Sequence, residues 1–158
     1  MKVCYENSRD NARTPMQWSA GKNGGFTTGT PWLAMNPNYT EINVAEQDKR
    51  ADSVLAYYRR LLALRKSEAY VETFTYGTFA PAYEDWDGVM AYTRTAEDNS
   101  RKILVAANYG RETVELPLEK TPKEVLITNM DTEQEVMARI RETGTLTLRS
   151  CETAVLLL

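Results

Sequence analysis

The chain has 158 residues, of which 42% are hydrophobic and 26% charged, with a formal net charge of −3 and no histidine. This length is enough for one domain with a core, or for a domain with an appendage. The slight negative charge excludes the basic surface of nucleic-acid-binding proteins, and the lack of histidine excludes Ser–His and Cys–His catalytic pairs. The longest strongly apolar run, residues 154–158, is too short to span a bilayer. We therefore expect neither a nucleic acid nor a membrane as partner.

The N-terminus and the cysteines bear on location. Residues 1–6 lack the apolar core of a signal peptide, so we predict a cytoplasmic protein. Cys4 and Cys151 lie near opposite ends of the chain and could form one disulfide, although free, buried thiols suit a cytoplasmic protein better. With no histidine and no paired spacing they predict no metal site.

Residues 1–43 form the first of three compositional segments. They are rich in glycine, proline, asparagine and threonine, which predicts little regular structure because glycine permits positive φ and proline lacks an N–H donor. An irregular stretch of this length is unusual in a compact domain. It indicates a functional loop, or a segment whose scaffold lies elsewhere.

The second segment predicts an amphipathic helix over about residues 47–67. Apolar residues recur there every three or four positions and form one stripe, with charged residues opposite. Asp48 or Asp52 suits the positive N-terminal end of such a helix, and Arg65 and Lys66 suit its negative end. The stripe comprises Val54, Leu55, Tyr58, Leu61 and Leu62, with Arg65 at its end.

The third segment predicts short strands rich in Val, Ile, Thr and Tyr, separated by turn clusters. Because no helix separates them, the predicted fold class is mainly β, an antiparallel β-sandwich. Residues 103–107 are apolar without alternation, which indicates a central strand covered on both faces. The predicted strands are 71–75, 78–83, 89–95, 102–109, 113–116, 124–128, 134–137, 145–148 and 153–158.

Four motifs occur in order within residues 8–66. They are Ser-Arg-Asp-Asn-Ala-Arg-Thr-Pro-Met-Gln-Trp at 8–18, Gly-Phe-Thr-Thr-Gly-Thr-Pro-Trp-Leu at 25–33, Asn-Pro-Asn-Tyr with Ile-Asn-Val over 36–44, and the helical run 53–66. Together they resemble the α-glucosidase branch of the α-amylase family, which includes oligo-1,6-glucosidases, dextran glucosidases and trehalose-6-phosphate hydrolases. Ser19 stands where that family commonly has Asp.

The resemblance implies an architecture. Residues 1–68 would be the loop after the eighth strand of a (β/α)8 barrel and the last barrel helix, and residues 69–158 the C-terminal β-sandwich domain. The family's nucleophile Asp, acid/base Glu and third Asp belong to barrel loops that match nothing in this chain. We therefore assign no catalytic residue, metal or cofactor here, and expect the missing barrel as a partner and the chain alone to be inactive.

The same resemblance assigns substrate contacts to two arginines. An arginine of the first motif reaches the terminal glucose in these enzymes, which makes Arg9 the strongest candidate, and Arg13 could line the same pocket. Guanidinium suits this task because its fixed donors can serve a hydroxyl and a carboxylate together. The alternatives are a structural contact of Arg9 with Asp10 or with a carbonyl group of the loop, and Arg13 bracing the loop through carbonyl groups.

Other aromatic and acidic residues have structural alternatives that fit better. Trp18 and Trp32 could stack on sugar faces, but anchoring of the loop against the barrel is the preferred interpretation. A sugar-stacking strip of the aromatic residues at 76, 83, 86 and 92 competes with inter-sheet core packing, and the acidic tract 84–87 suits a solvated turn better than calcium.

Two function classes remain at this point. The first is a C-terminal fragment of a retaining α-glucosidase that acts on α-1,6 or related α-glucosidic bonds of gluco-oligosaccharides or disaccharides. The second is a stand-alone module that binds carbohydrate or forms a homodimer, since the apolar stripe of the helix needs a cover.

Overall fold

The computed structural model describes residues 9–158, except for the side chain of Asn11. The chain divides into two compact units, Met1–Arg59 and Arg60–Leu158. Residues 1–8 of the predicted loop, and with them Cys4, lie outside the described part. The predicted domain boundary between residues 68 and 69 stays a prediction.

The first unit is an irregular loop punctuated by short turns, as its composition predicts. Single 3₁₀ turns span Asp10–Ala12, Lys22–Gly25 and Pro37–Thr40, and they are followed by the short helix α1, Val44–Gln47. Helix α2, Val54–Lys66, begins in this unit. The predicted helix over 47–67 is thus shorter than expected, because Ser53 interrupts it. The Ser53 hydroxyl donates to the carbonyl of Gln47 at 2.7 Å and caps α2 by accepting from the amide of Ala56 at 3.1 Å.

The second unit is built on antiparallel strands, which confirms the predicted fold class. A five-stranded sheet has the order β1-β2-β3-β7-β5, and β4 pairs with β6 in a separate two-stranded sheet. All neighbouring strands are antiparallel. The strands are β1 Thr78–Ala82, β2 Val89–Thr95, β3 Lys102–Asn108, β4 Val114–Pro117, β5 Glu124–Thr128, β6 Thr145–Leu148 and β7 Thr153–Leu157.

Two of the nine predicted strands are wrong, because both segments are helical. Residues 71–75 lie in α3, Val71–Tyr76, although their β-branched side chains favour a strand. Residues 134–137 lie in α4, Glu133–Thr143. Thr132 and Glu135 form a reciprocal capping box at the start of α4, and Gly144, at φ 71°, ends it. These local signals outweigh the strand propensity.

The core lies on one face of the five-stranded sheet. Strand β3 is central, as predicted, and both Ile103 and Leu104 on its opposite faces are buried. On the inner face, Leu104 and Leu156 pack with the β4–β6 pair and with Val136 and Ile140 of α4. Burial of these apolar side chains is the main force that holds the second unit together. Among residues 9–158, no helix combines the length and apolar character needed to cross a membrane.

Asn108 links the two sheets through a buried amide. Its side chain, 1% exposed, donates to the carbonyl of Leu148 on β6 at 3.0 Å and to that of Glu112 at 2.8 Å. Its oxygen accepts from the amide of Gly110 at 2.9 Å. The bond to Leu148 is the buried one of the three and joins the sheets, whereas the other two hold the segment after β3.

A cluster of ion pairs lies at the C-terminal end of β6. The Arg149 guanidinium binds the buried carboxylate of Glu152 with two hydrogen bonds, at 2.9 and 3.1 Å. Arg149 and Arg139 lie 2.8 and 2.6 Å from the two carboxylate oxygens of Asp131. The hydrogen bond from Arg149, followed by that from Arg139, lowers the pKa of Asp131 below its usual range.

Cys151 lies in the turn between β6 and β7 with a positive φ of 61°. It is a free, exposed thiol. The expectation of a buried thiol is therefore wrong for Cys151, because the turn directs this residue away from the core.

The Asn108→Ala variant is expected to unfold with a free energy about 1–3 kcal/mol lower than that of the unmodified chain, since the buried carbonyl of Leu148 loses its partner and two part-buried backbone groups lose a hydrogen bond each. Urea denaturation followed by far-UV circular dichroism measures this difference. The matched control is Asn129→Ala, because the exposed Asn129 also binds two backbone groups, at 2.8 Å each, that water can reach. Equal losses in the two variants would contradict the role given to Asn108.

The Asp131→Asn variant is expected to change the response of the chain to acid. Because its folded pKa is lowered, Asp131 stabilises the fold above the unfolded value of about 3.9 and loses this effect as pH falls below it. The variant should therefore be less stable at pH 7, with the difference shrinking between about pH 4 and pH 2. Urea midpoints across this range measure it. The control Asp85→Asn, in an exposed turn, should leave the midpoints unchanged.

Candidate functional site

Arg9 and Arg13 lie at the two ends of one 3₁₀ turn. The amide of Ala12 donates to the carbonyl of Arg9 at 3.1 Å, and that of Arg13 donates to Asp10 at 3.0 Å. Both arginine side chains are exposed. These two hydrogen bonds fix the backbone of both candidate residues within one turn.

The two guanidinium groups have different surroundings. Among residues 9–158, the Arg9 guanidinium has neither an ion pair nor a hydrogen bond, so the predicted alternative of a pair with Asp10 is absent there. The Arg13 guanidinium lies 5.6 Å from the centre of the Trp32 ring, within the range of a cation–π contact. Within residues 9–158, the guanidinium N–H donors of Arg9 and of Arg13 are therefore not used in hydrogen bonds, and Arg13 alone is oriented by an aromatic ring.

The loop after the turn is held by side-chain amides. The Gln17 amide donates to Asn38 Oδ1 at 3.0 Å and to the carbonyl of Ile42. The main-chain carbonyl of Gln17 accepts from the main-chain amide of Val44 at 2.9 Å. Asn43, 2% exposed, donates to the carbonyl of Tyr39 at 2.9 Å and caps α1. The bonds of Gln17 join the beginning and the end of the loop, and those of Asn43 fix its end.

A second part of the loop is a tight glycine turn. The carbonyl of Gly24 accepts from the amides of Trp18 and Ser19 at 2.8 and 2.9 Å. Gly24 has φ 62°, a left-handed conformation that favours glycine, and a Cβ there would lie 2.5 Å from the terminal methyl of Met35. Asn23 closes the following segment by donating to the carbonyls of Thr27 and Gly29 at 3.0 and 2.7 Å.

The first unit presents its large apolar side chains to solvent. In residues 9–59, the buried residues are Pro15, Gly24, Asn43 and Ser53. Trp32 is 87% exposed and Trp18 51% exposed. Anchoring of the loop against the barrel by these tryptophans stays a prediction, since residues 9–158 contain no barrel. A shallow cleft of about 260 Å³ lies between Thr14–Gln17 and Ile42–Val44, with Gln47 at its side.

The predicted aromatic strip is divided between two places. Tyr83 contacts Trp86 edge-on, with ring centres 6.5 Å apart, whereas Tyr92 lies beside Phe79 at 5.2 Å. Burial, with the charge of Glu119 next, raises the pKa of Tyr83, whose hydroxyl donates to the carbonyl of Pro117 at 2.7 Å. The acidic tract 84–87 is an exposed turn. Across residues 9–158, no group of three or more Cys, Asp or Glu side chains could hold a metal ion.

Sequence reasoning missed the amides that shape the loop. Asn43 precedes α1 and is followed three residues later by Glu46, a spacing typical of a helix N-terminus. This spacing could have predicted the start of α1 from the sequence. The bonds of Gln17 join residues more than 20 positions apart, and no local pattern predicts them.

Comparison with known proteins finds relatives of both parts of the chain. Residues 1–74 match the family model of the α-amylase catalytic domain. The oligo-1,6-glucosidase of Parageobacillus thermoglucosidasius is 42% identical over 141 residues, which is 85% of this chain and 24% of that protein. The trehalose-6-phosphate hydrolase of Bacillus subtilis (strain 168) is 41% identical over 133 residues, or 80% of this chain and 23% of the hydrolase.

The isomaltulose synthase of Klebsiella sp. LX3 is similar in structure. It aligns with a TM-score of 0.78 and 33% identity over 95% of this chain and 26% of its own. The chain thus spans about a quarter of the length of the relatives that it matches. The chain belongs to the α-amylase family, and it corresponds to the C-terminal part of the family's α-glucosidases.

Proposed function

We propose that this chain is the C-terminal part of a retaining α-glucosidase that hydrolyses α-1,6 or related α-glucosidic bonds at the ends of gluco-oligosaccharides or disaccharides. In this proposal Arg9 contacts the terminal glucose, and the β domain is structural. One observation carries the proposal. The Arg9 side chain is exposed and its guanidinium group has no hydrogen bond or ion pair among residues 9–158, while its backbone lies in a hydrogen-bonded turn within the motif that resembles these glucosidases.

The chemistry of Arg9 suits recognition of a sugar hydroxyl. A guanidinium group presents five N–H donors in a fixed plane and stays charged at any physiological pH. It can donate to a hydroxyl and, at the same time, to a carboxylate that the barrel would supply. Donors placed at the last hydroxyl of a glucose close the pocket, which restricts cleavage to one terminal residue.

Arg13 plays a secondary part in the proposal. Its contact with Trp32 holds the guanidinium over the indole ring, worth about 0.5–1 kcal/mol at an exposed site. We assign Arg13 to the rim of the same pocket, where the Trp32 ring keeps it oriented.

The chain alone is proposed to be non-catalytic. Retaining hydrolysis needs two carboxyl groups about 5 Å apart, one as nucleophile and one as acid and base. The motifs that carry these groups in the family have no match in the chain, and no cofactor is needed for this chemistry. The exposed tryptophans of the first unit support a barrel partner, since it would cover them.

The proposal names a class of α-glucosides and a cytoplasmic location. The named relatives act on different α-glucosides, and their identities to this chain, 42% and 41%, are nearly equal. The cytoplasmic location remains part of the proposal and rests on the sequence alone.

A stand-alone module, for carbohydrate binding or dimerisation, is the second candidate. It is favoured by the exposed stripe Val54, Tyr58 and Leu62 on successive turns of α2, with 67%, 58% and 49% of each residue exposed. A second copy of the chain could cover this stripe.

The Arg9→Ala variant tests the main proposal in a chimaera. This chain replaces the matching quarter of the Parageobacillus thermoglucosidasius enzyme, and kcat/KM for isomaltose is measured. Loss of a charged hydrogen bond to the substrate should lower kcat/KM about 10- to 100-fold, and Arg9→Lys should recover part of it. The control Lys22→Ala, on the same loop, should leave kcat/KM unchanged.

An active chimaera whose kcat/KM is unaffected by Arg9→Ala would overturn the assignment of Arg9. The chain alone, incubated with isomaltose, should release no glucose above the buffer rate. Turnover by the chain alone would contradict its non-catalytic role, and isomaltose binding without turnover, in calorimetry, would favour the module.

A further inference from the structure

The outer face of the five-stranded sheet, opposite the core described above, is unevenly covered. Ile103, Ile127 and Val155 on this face are buried. Towards the β1 edge, Phe79 is 57% exposed, and Tyr92 is half-buried. The Phe79 and Tyr92 rings lie 5.2 Å apart with their planes tilted by 33°. An aromatic surface therefore remains open beside α3.

A cleft of about 320 Å³ lies at this surface. Its walls are the Phe79 and Tyr92 rings, Phe74 and Thr75 of α3, and the side chains of Arg65 and Arg94. All six residues belong to the second unit, and the cleft shares no residue with the loop that carries Arg9. No carboxylate is among its lining residues.

One hydrogen bond holds the Arg94 side chain at the cleft, and the guanidinium group keeps an N–H donor without an acceptor among residues 9–158. It faces Phe79 across the β1–β2 ladder, and its Nη2 donates to the carbonyl of Thr75 at 3.0 Å. Its Nε is shielded from solvent and has no hydrogen-bond acceptor within the described chain. A shielded guanidinium donor without an acceptor is unfavourable, and an anion that reached it would supply one.

Arg65 adds a second positive charge without a counter-ion. Neither Arg65 nor Arg94 has an ion pair in residues 9–158, whereas Arg50 and Arg149 each bind a carboxylate. Two guanidinium groups that line one cleft repel each other, and an anion between them would remove this repulsion. The electrostatics of the cleft therefore favour an anionic ligand.

We propose that this cleft binds a sugar phosphate. The phosphate oxygens accept from Arg65 and Arg94, which suits the preference of guanidinium for bidentate contact with phosphate. The pyranose ring lies against Phe79 and Tyr92, because its apolar C–H face matches an aromatic surface. The site only binds the ligand, and no bond is made or broken there.

Binding is tested on the full 158-residue chain with three probes: glucose 6-phosphate, glucose and inorganic phosphate. Affinities are measured by calorimetry at low salt, and amide chemical shifts of residues 74–79 and 92–94 locate the site. Glucose 6-phosphate should bind at least about 10-fold more tightly than either other probe, because both halves of the site contribute.

Variants separate the two halves of the site. Arg65→Gln and Arg94→Gln should each weaken glucose 6-phosphate binding at least about 10-fold, and Phe79→Ala should abolish its advantage over inorganic phosphate. Arg111→Gln removes the same charge from an exposed position outside the cleft and should have no effect. Because Arg65 and Phe79 are themselves exposed, their variants test the site even if Arg94→Gln fails to fold.

Three results would overturn the proposal: no binding of glucose 6-phosphate, binding of glucose with equal affinity, or binding that Arg65→Gln leaves unchanged. Inorganic phosphate binding as tightly as glucose 6-phosphate would overturn the role of the rings. None of these results bears on Arg9, since the two sites share no residue.

Discussion

Side-chain amides that bind backbone groups hold this chain in shape where apolar contacts do not. In the first unit, Gln17 bridges the beginning and the end of a loop that buries no large side chain, and Asn43 holds the turn and the helix next to it. In the second unit, Asn108 joins β3 to β6 between the two sheets. An amide both donates and accepts, so one side chain can satisfy two or three backbone groups and fix their relative positions.

The same loop presents a defined pair of arginines on a turn that main-chain hydrogen bonds hold, without a side-chain cap in the described chain. The backbone at both ends of the 3₁₀ turn is set by hydrogen bonds, and the side chains of Arg9 and Arg13 project from it into solvent. The apolar side chains of the same unit are left uncovered, which is the arrangement expected of a surface that belongs against a larger scaffold. The match of residues 1–74 to a catalytic-domain model agrees with that view.

Much of the fold follows from local patterns in the sequence. Seven strands and the central position of β3 are predictable from β-branched runs and turn clusters, because these act over a few residues. The Thr132–Glu135 spacing also predicts the start of helix α4, but the strand propensity of residues 134–137 led to the prediction of a strand. The site is only partly predictable. The motif indicates Arg9, whereas the Gln17 bonds and the meeting of Arg65 with Arg94 depend on contacts between distant segments, which no local pattern contains.

Amide hydrogen exchange of Val44 and Ala45 tests the central claim most directly. Their N–H groups donate to the carbonyls of Gln17 and Trp18 at 2.9 and 3.1 Å, across the loop. Exchange at both should be slow compared with an unstructured peptide, and Gln17→Ala should speed it about 10-fold or more, while Lys22→Ala should not. Exchange at the unstructured rate in the unmodified chain, or equal rates in both variants, would contradict a loop held by side-chain amides.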